Sequence, residues 1–172
     1  MKNVKNWMSA LCMAAVVFTA CDKDDDNNDT NNMDREFVNR ASISNNAEVM
    51  AGQVAVNKAV NNRVRMYGQM MVTEHTAAQA ELRNQAQTAG LQVHDSVDAQ
   101  HRALMAMLNS LSGYAFDTAY MGSQVRDHAK TIDLFNRQVR EGNNQNLRSY
   151  AQQQLPALQR HYNQADSIRR SL

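Results

Sequence analysis

Apolar and small residues recur every three or four positions from about residue 34 to residue 172, which is the spacing of amphipathic α-helices. Four long segments and one shorter segment carry this pattern, at about 34–58, 61–89, 95–111, 114–141 and 145–172. Gly90 follows the second segment, and the run Gly142-Asn143-Asn144 separates the last two. Glycine and asparagine are common where helices stop and chains turn. The pattern therefore predicts an all-α domain.

The lengths of the connections predict how these helices are arranged. Tight turns near residues 60 and 143 make two antiparallel hairpins, whereas the stretch from 90 to 113 is long enough to cross a bundle from end to end. A four-helix bundle with one long crossover has the ferritin-like topology. We therefore expect a ferritin-like bundle with an extra short helix in the crossover. A simple up-down bundle, with the short helix packed on one end, is the alternative.

Composition excludes several other classes of protein. The chain has one proline and six glycines, and only 6% of its residues are aromatic, which is too few for the turns and strands of a sandwich or barrel. The net charge of +1 leaves no large basic surface, so we expect no nucleic-acid partner. Two cysteines cannot form a disulfide scaffold.

The first 20 residues have the pattern of a secretory signal. Lys2 and Lys5 precede an uncharged apolar run over 7–18, which is shorter than the roughly 20 residues of a membrane-spanning helix. The run ends in Val-Phe-Thr-Ala-Cys, which resembles a lipobox. This interpretation makes 1–20 a lipoprotein signal peptide and Cys21 the lipidated first residue of the mature chain. An ordinary signal peptide cleaved near Ala20 is the alternative.

The next stretch, 21–33, is predicted to be a disordered tether rich in acidic residues and asparagine, ahead of a helical domain at 34–172. Lys23 is followed by two aspartates, which resembles the signals that send some bacterial lipoproteins to the cell surface. We therefore expect an outer-membrane lipoprotein, on the surface or in the inner leaflet. Its expected partners are the membrane, through the lipid, and an envelope protein.

Each long helix carries an ionisable residue on its apolar face: Glu48, His75, His128 and His161. Counted from the turns at 1.5 Å per residue, all four lie within about one helical turn of the middle of the bundle. Core metal sites of helical bundles are built this way. One carboxylate and three neutral imidazoles suit one divalent iron, manganese or zinc ion, which is the only cofactor that the sequence suggests.

Three further polar residues of the fourth segment are predicted to support these ligands by hydrogen bonding: Asp117, Tyr120 and Gln124. A dinuclear carboxylate site is disfavoured, because valine and not glutamate lies three residues before both His75 and His128. Glu74 is expected to face solvent or a neighbouring helix. The alternative to a metal site is a hydrogen-bonded polar core that fixes the register of the helices.

Two motifs carry a family resemblance. Ser112 to Tyr120 reads S-G-Y-A-F-D-T-A-Y, and Leu155 to His161 reads L-P-A-L-Q-R-H. Together with Glu48, His75 and His128 they resemble the bacterial family of unknown function numbered 4142. The resemblance implies a secreted or outer-membrane protein with a ferritin-like bundle, and it implies no established reaction.

Three hypotheses of function follow. The first is a lipid-anchored bundle that acts by binding or in envelope maintenance. The second is a mononuclear metal-binding protein for metal handling or oxidant defence. The third is an enzyme in which Asp117 and a histidine act as an acid–base pair. The sequence favours a protein without catalytic activity.

Overall fold

The structure is a computed structural model that describes residues 29–172. This part of the chain forms five helices: α1 Asn32–Lys58, α2 Asn62–Thr88, α3 Ala99–Ser110, α4 Gly113–Glu141 and α5 Gln145–Arg170. It contains no strand, which confirms the all-α prediction. None of these helices is both long and apolar enough to cross a bilayer. The predicted signal peptide and Cys21 lie outside the described residues.

Helix α1 begins two residues earlier than the sequence predicts. Its N-terminal cap is Asn31, whose side chain accepts a hydrogen bond from the Asp34 backbone N–H, while the Asp34 carboxylate accepts one from the Asn31 N–H. This reciprocal capping box satisfies two donors that a helix start leaves unpaired. Met33 is already buried against the bundle. The predicted tether therefore extends too far, because its last two residues belong to α1.

The long helices follow an up-down-down-up order. Helix α1 runs antiparallel to α4, since Asp34 bonds Gln138 at one end and Asp117 bonds the backbone of Asn61 at the other. Helices α2 and α5 are antiparallel as well, since Tyr67 bonds His161 and Tyr150 bonds Ala78, and the crossover that contains α3 joins the parallel helices α2 and α4. This is the ferritin-like topology. The simple up-down alternative is wrong.

A polar layer divides the hydrophobic core into two clusters. One apolar cluster lies around Tyr67, Phe116 and Tyr120, and the other lies around Phe37 and Phe135. Between them, every long helix contributes buried polar side chains: Ser42, Asn45, Glu48, His75, Gln79, Gln124, His128 and His161. Burial of each large apolar side chain contributes about 1.5–3 kcal/mol, so the two clusters stabilise the bundle on either side of a polar centre.

Equivalent residues of the two hairpins, α1–α2 and α4–α5, lie 83 positions apart in the sequence (117 − 34 and 144 − 61). Asp34 accepts a hydrogen bond from the backbone N–H of Asn144, and Asp117 accepts one from the N–H of Asn61. These asparagines are the N-terminal caps of α5 and α2. Each hairpin therefore supplies an aspartate that holds the turn of the other, and both ends of the bundle are fastened in the same way.

Two tyrosines follow the same repeat across the α2–α5 interface. The Tyr67 hydroxyl donates to the backbone carbonyl of His161 at 3.3 Å, and the Tyr150 hydroxyl donates to the carbonyl of Ala78 at 3.0 Å. The two tyrosines are again 83 positions apart, and so are the two acceptors (150 − 67 and 161 − 78). The two bonds fix the register of α2 against α5 on both sides of the polar layer.

Candidate metal centre

Three histidines from three helices meet in the middle of the polar layer. His75 lies on α2, His128 on α4 and His161 on α5, with exposed fractions of 3%, 1% and 2%. Their ring centroids are 5.3–5.6 Å apart. One nitrogen of each ring lies within 4.8 Å of the corresponding nitrogens of the other two. The structure thus brings together the three histidines that the sequence places at one height.

Asn45 determines which nitrogen of His75 carries the proton. The Nδ1 atom of His75 lies 3.0 Å from the Asn45 side-chain oxygen, while the Asn45 amide group donates to Gln79 at 3.2 Å. The Asn45 oxygen is therefore the acceptor, and Nδ1 is the donor. The Nε2 atom of His75 then carries a lone pair, and within the described residues it has no hydrogen-bond partner.

The backbone of α4 orients His128 in the same way. Its Nδ1 atom lies 3.0 Å from the carbonyl oxygen of Gln124, one turn earlier in the helix. A carbonyl only accepts hydrogen bonds, so Nδ1 carries the proton and Nε2 carries the lone pair. Nε2 of His128 lies 3.3 Å from Nδ1 of His161.

Glu74 orients His161. Its carboxylate lies 2.8 Å from Nε2 of His161 and also pairs with the Arg160 guanidinium at 2.6 Å. An ionised carboxylate accepts from Nε2, which leaves the lone pair of His161 on Nδ1. Glu74 does reach a neighbouring helix, as the sequence suggests, but its contact with His161 was not predicted. The signal was available, since Glu74 directly precedes His75 on a helix that packs against α5.

The three lone pairs converge on one space. Two lone pairs 3.3 Å apart repel each other unless a proton or a cation lies between them. In a tetrahedral zinc site with Zn–N distances of about 2.0–2.1 Å, neighbouring nitrogens lie about 3.3–3.4 Å apart. His128 and His161 already have this separation, and one nitrogen of each of the three rings lies within 4.8 Å of the others. A modest inward movement of one ring would complete the geometry of a ligand set.

Burial keeps all three imidazoles neutral at pH 7. It lowers the pKa of His75 well below the ordinary value, and the charges that His128 and His161 would carry lower it further. Burial also lowers the pKa of His128 and of His161 to about 4. Neutral imidazole is the form that binds metals, so no proton has to be removed from these rings before an ion binds.

Glu48 lies behind His128 and not among the converging nitrogens, which corrects its predicted role as a ligand. Its carboxyl oxygen is 3.5 Å from Nδ1 of His128, on the edge of the ring opposite the triad. Gln124 hydrogen-bonds this carboxyl group, but burial is the larger influence and raises the pKa of Glu48 to about 8. Glu48 is thus an uncharged acid at neutral pH that a nearby cation would ionise.

Of the three predicted supporting residues, one lies at the triad and two do not. Gln124 contacts both Glu48 and His128. Asp117 precedes His128 by 11 residues (128 − 117), about 16 Å along the helix, and it holds the α1–α2 turn through Asn61. Tyr120 packs in the apolar cluster, with its ring centroid 6.3 Å from that of Tyr67. Asp117 therefore forms no acid–base pair with the triad, contrary to the third hypothesis.

A pocket leads from the surface to the triad between α2 and α5. Its volume is about 220 Å³, and two of the histidines, His75 and His161, form part of its wall. The other wall residues are mostly small or apolar: Ala77, Ala78, Phe135, Tyr150, Ala157 and Leu158, with Asn45, Glu74, Glu81 and Gln154. The buried histidines are thus accessible from one side of the bundle.

The fold and the site define a ferritin-like helical bundle with a three-histidine centre in its core. The chain belongs to the family described as a domain of unknown function, DUF4142, whose sequence profile matches residues 19–168. This confirms the resemblance seen in the sequence. Comparisons with curated proteins and with solved structures give no match.

Proposed function

We propose that this protein binds one divalent transition-metal ion at His75, His128 and His161. The proposal rests on the hydrogen bonds that one nitrogen of each histidine makes with an oxygen acceptor. Each ring has one nitrogen held by an oxygen acceptor, from Asn45, Gln124 or Glu74, and the remaining nitrogens face one another. Metal-binding histidines almost always have such an outer partner, which fixes the tautomer and the orientation of the ring.

The ligand chemistry narrows the choice of ion. Three neutral imidazoles suit zinc, iron or copper, and harder ions such as magnesium and calcium prefer oxygen ligands. The charge of a divalent ion would favour the ionised form of Glu48, whose carboxyl group already lies behind His128. We therefore propose zinc or ferrous iron, with manganese as a weaker ligand match. Metal handling or metal-dependent chemistry is the corresponding function.

Elemental analysis of protein purified without chelators or a histidine tag tests this proposal. We expect about one equivalent of metal per chain, lost in His75→Ala and in His161→Ala. His94→Ala is the matched control, because His94 is exposed in the crossover and lies outside the triad. Metal-free wild-type protein that also fails to bind added zinc or ferrous iron would contradict the proposal. It would leave the triad as a device that fixes helix register.

Glu74 provides a graded test of the same site. Loss of an outer partner of a metal-binding histidine typically lowers metal affinity about 10–100-fold. We expect Glu74→Ala to have an effect of this size and Glu74→Gln a smaller one, since glutamine retains an acceptor for Nε2 of His161. Arg160→Ala is the control, because Arg160 contacts Glu74 but neither of the other outer partners.

We further propose that the protein is attached to a membrane by lipid on Cys21. The lipobox-like sequence and the preceding apolar run support this. Helix α1 begins at Asn32, which is 11 positions after Cys21 (32 − 21). At about 3.3–3.6 Å per residue, a fully extended chain of this length reaches at most about 40 Å.

Labelling with a radioactive fatty acid in the producing cells tests the anchor. We expect incorporation in the wild type and in Cys12→Ser, and none in Cys21→Ser. Cys12 is the only other cysteine of the chain and therefore controls for non-specific acylation. Protease treatment of intact cells then tests the proposed cell-surface location, because a protein in the inner leaflet would be protected. Equal labelling of the two variants would contradict lipidation at Cys21.

A further inference from the structure

We infer that the pocket between α2 and α5 binds a small uncharged molecule that completes the coordination of the metal. This inference rests on the proposed metal site. Three histidines supply three ligands, and a catalytic zinc site keeps its fourth position for water or a substrate. His75 and His161 form the inner wall of the pocket, whereas His128 is enclosed behind them. The side of the triad that is open to an incoming molecule is therefore the side that faces the pocket.

The size of the pocket sets the size of the molecule. A cavity of about 150 Å³ in another protein accepts benzene. The volume here is about 220 Å³. The pocket thus has room for one ring-sized molecule together with its contact to the metal, and it is too small for a nucleotide or a peptide.

The residues that line the pocket determine the polarity of the molecule that fits it. Five wall residues have apolar side chains: Ala77, Ala78, Phe135, Ala157 and Leu158. The polar wall groups are already engaged, since the Tyr150 hydroxyl donates to the backbone of α2 and the Asn45 amide bonds His75 and Gln79. A polar atom of the ligand therefore finds its best partner in the metal itself.

Charge excludes anions of similar size. Glu74 and Glu81 both line the pocket, and the Glu81 carboxylate accepts a hydrogen bond from Gln154 on the facing helix. Arg160 offsets the charge of Glu74, but no cation pairs with Glu81 among residues 29–172. An anion would pass a negative carboxylate on its way to the triad. The ligand class that fits is an uncharged, largely apolar molecule with one lone-pair donor atom.

Visible absorption of the cobalt(II)-loaded full-length mature protein tests this inference, because the cobalt spectrum reports changes of its ligands. The probes are pyridine, an uncharged ring with one nitrogen donor, and azide, a small anion. We expect pyridine to change the spectrum in a saturable way and to bind at least tenfold more tightly than azide. Ala77→Phe should weaken pyridine binding at least tenfold, because Ala77 lies in the pocket wall.

The matched control is Ala80→Phe, since Ala77 and Ala80 are both exposed alanines of α2 and only Ala77 lines the pocket. Ala157→Phe, on the opposite wall, gives a second block if Ala77→Phe fails to fold. Cobalt that binds without any response to pyridine would overturn this inference and leave the metal site standing. Failure to bind cobalt would overturn both. Pyridine binding that is unchanged by both wall variants, or azide binding that is equally tight, would also overturn the inference.

Discussion

The two hairpins of the bundle differ least at the ends and most in the middle. At the ends, Asp34 and Asp117 hold the opposite turns, and Tyr67 and Tyr150 bond the facing backbone. In the middle, residues that hold the same place in the repeat have different chemistry: Asn45 and His128, His75 and Leu158, Ala78 and His161, and Glu48 and Thr131. The shared residues hold the fold together, and positions that differ supply the three histidines of the polar layer.

Close packing of the first hairpin also breaks the repeat. A Cβ atom on Gly68 would lie 2.8 Å from the Ala55 Cβ and 2.9 Å from the carbonyl oxygen of Gly52. In the second hairpin the place of Gly52 is taken by Phe135, which lines the pocket. Helices α1 and α2 thus touch through their backbones, whereas a large side chain takes the corresponding place in α4. The pocket that leads to the histidines lies on the side of Phe135.

Substitution of the two aspartates at the ends of the bundle is expected to show the largest difference in stability between the hairpins. Asp34 accepts bonds from three backbone N–H groups and from Gln138, whereas Asp117 accepts one from Asn61. Each buried donor left without a partner costs about 1–3 kcal/mol. We expect Asp34→Ala to lower the free energy of unfolding by about 3–5 kcal/mol and Asp117→Ala by about 1–2 kcal/mol, measured by urea denaturation. Equal losses would show that the extra bonds of Asp34 contribute nothing.

Glu48 gives the next largest effect, and it depends on pH. Its pKa is raised to about 8 in the folded protein, so the folded state keeps a proton that the unfolded state loses above its ordinary pKa of 4.5. The contribution of Glu48 to stability therefore falls as the pH rises from about 4.5 to about 8. One pKa unit corresponds to about 1.4 kcal/mol, so Glu48→Gln should stabilise the metal-free protein by about 3 kcal/mol at pH 7.

The histidines change the stability with pH in the opposite direction. Their lowered pKa values mean that the unfolded chain binds protons that the folded protein does not, so stability falls as the pH drops from about 6.5 to about 4. Between about pH 4.5 and pH 6.5 this contribution opposes that of Glu48, so Glu48→Gln should steepen the rise in stability there and remove the fall above pH 6.5. Urea denaturation of metal-free protein at a series of pH values measures both changes. A variant no more stable than the wild type at pH 8 would contradict the assignment.

Gly68 tests the close approach of α1 and α2. Gly68→Ala adds a methyl group against backbone and Cβ atoms that cannot move away easily. Overpacking costs about 1–3 kcal/mol, which exceeds the roughly 0.5–1 kcal/mol that alanine gains over glycine in a helix. We expect a lower melting temperature. Gly122→Ala in α4 is the control and should raise it, because its new methyl group meets only the Arg126 side chain at 3.4 Å.

The tyrosine pair tests the repeat itself, with the smallest effects. Tyr67→Phe and Tyr150→Phe each remove one hydroxyl that donates to a backbone carbonyl across the α2–α5 interface. A typical internal hydrogen bond contributes about 1 kcal/mol, so both variants should lose about that much and their losses should add. Urea denaturation of the two single variants and the double variant measures this. Losses that differ by more than twofold would show that the two bonds are not equivalent.

Most of the fold was predictable because it depends on spacing. The three-to-four periodicity located all five helices, and the long connection between α2 and α4 gave the topology. The start of α1 was missed because asparagine is a weak helix former, and the capping role of Asn31 depends on Asp34. The repeat between the hairpins was hidden, since most of its paired positions have different residues and the shared ones are far apart in sequence.

The sequence predicted how far along the bundle axis the site residues lie, but not the direction in which their side chains point. Counting residues from the turns placed His75, His128 and His161 in one layer, because the rise per residue of a helix is fixed. The same count included Glu48, but rotation about the helix axis puts its carboxyl group behind His128. Asp117 looked like a site residue because it is polar on an apolar face. Its backbone partner at Asn61 becomes visible only in three dimensions.

The order of the helices also determines when the proposed metal site can form. The ligands come from α2, α4 and α5, so the centre is incomplete until the segment that contains His161 has been made and packed. A chain still being synthesised, with only the first hairpin folded, would have one of the three histidines in place. An ion bound at the proposed site would therefore be chosen at the time and place where the last helix docks. Under the proposal above, the metals of the compartment in which folding is completed, and not those present where synthesis begins, decide which ion is bound.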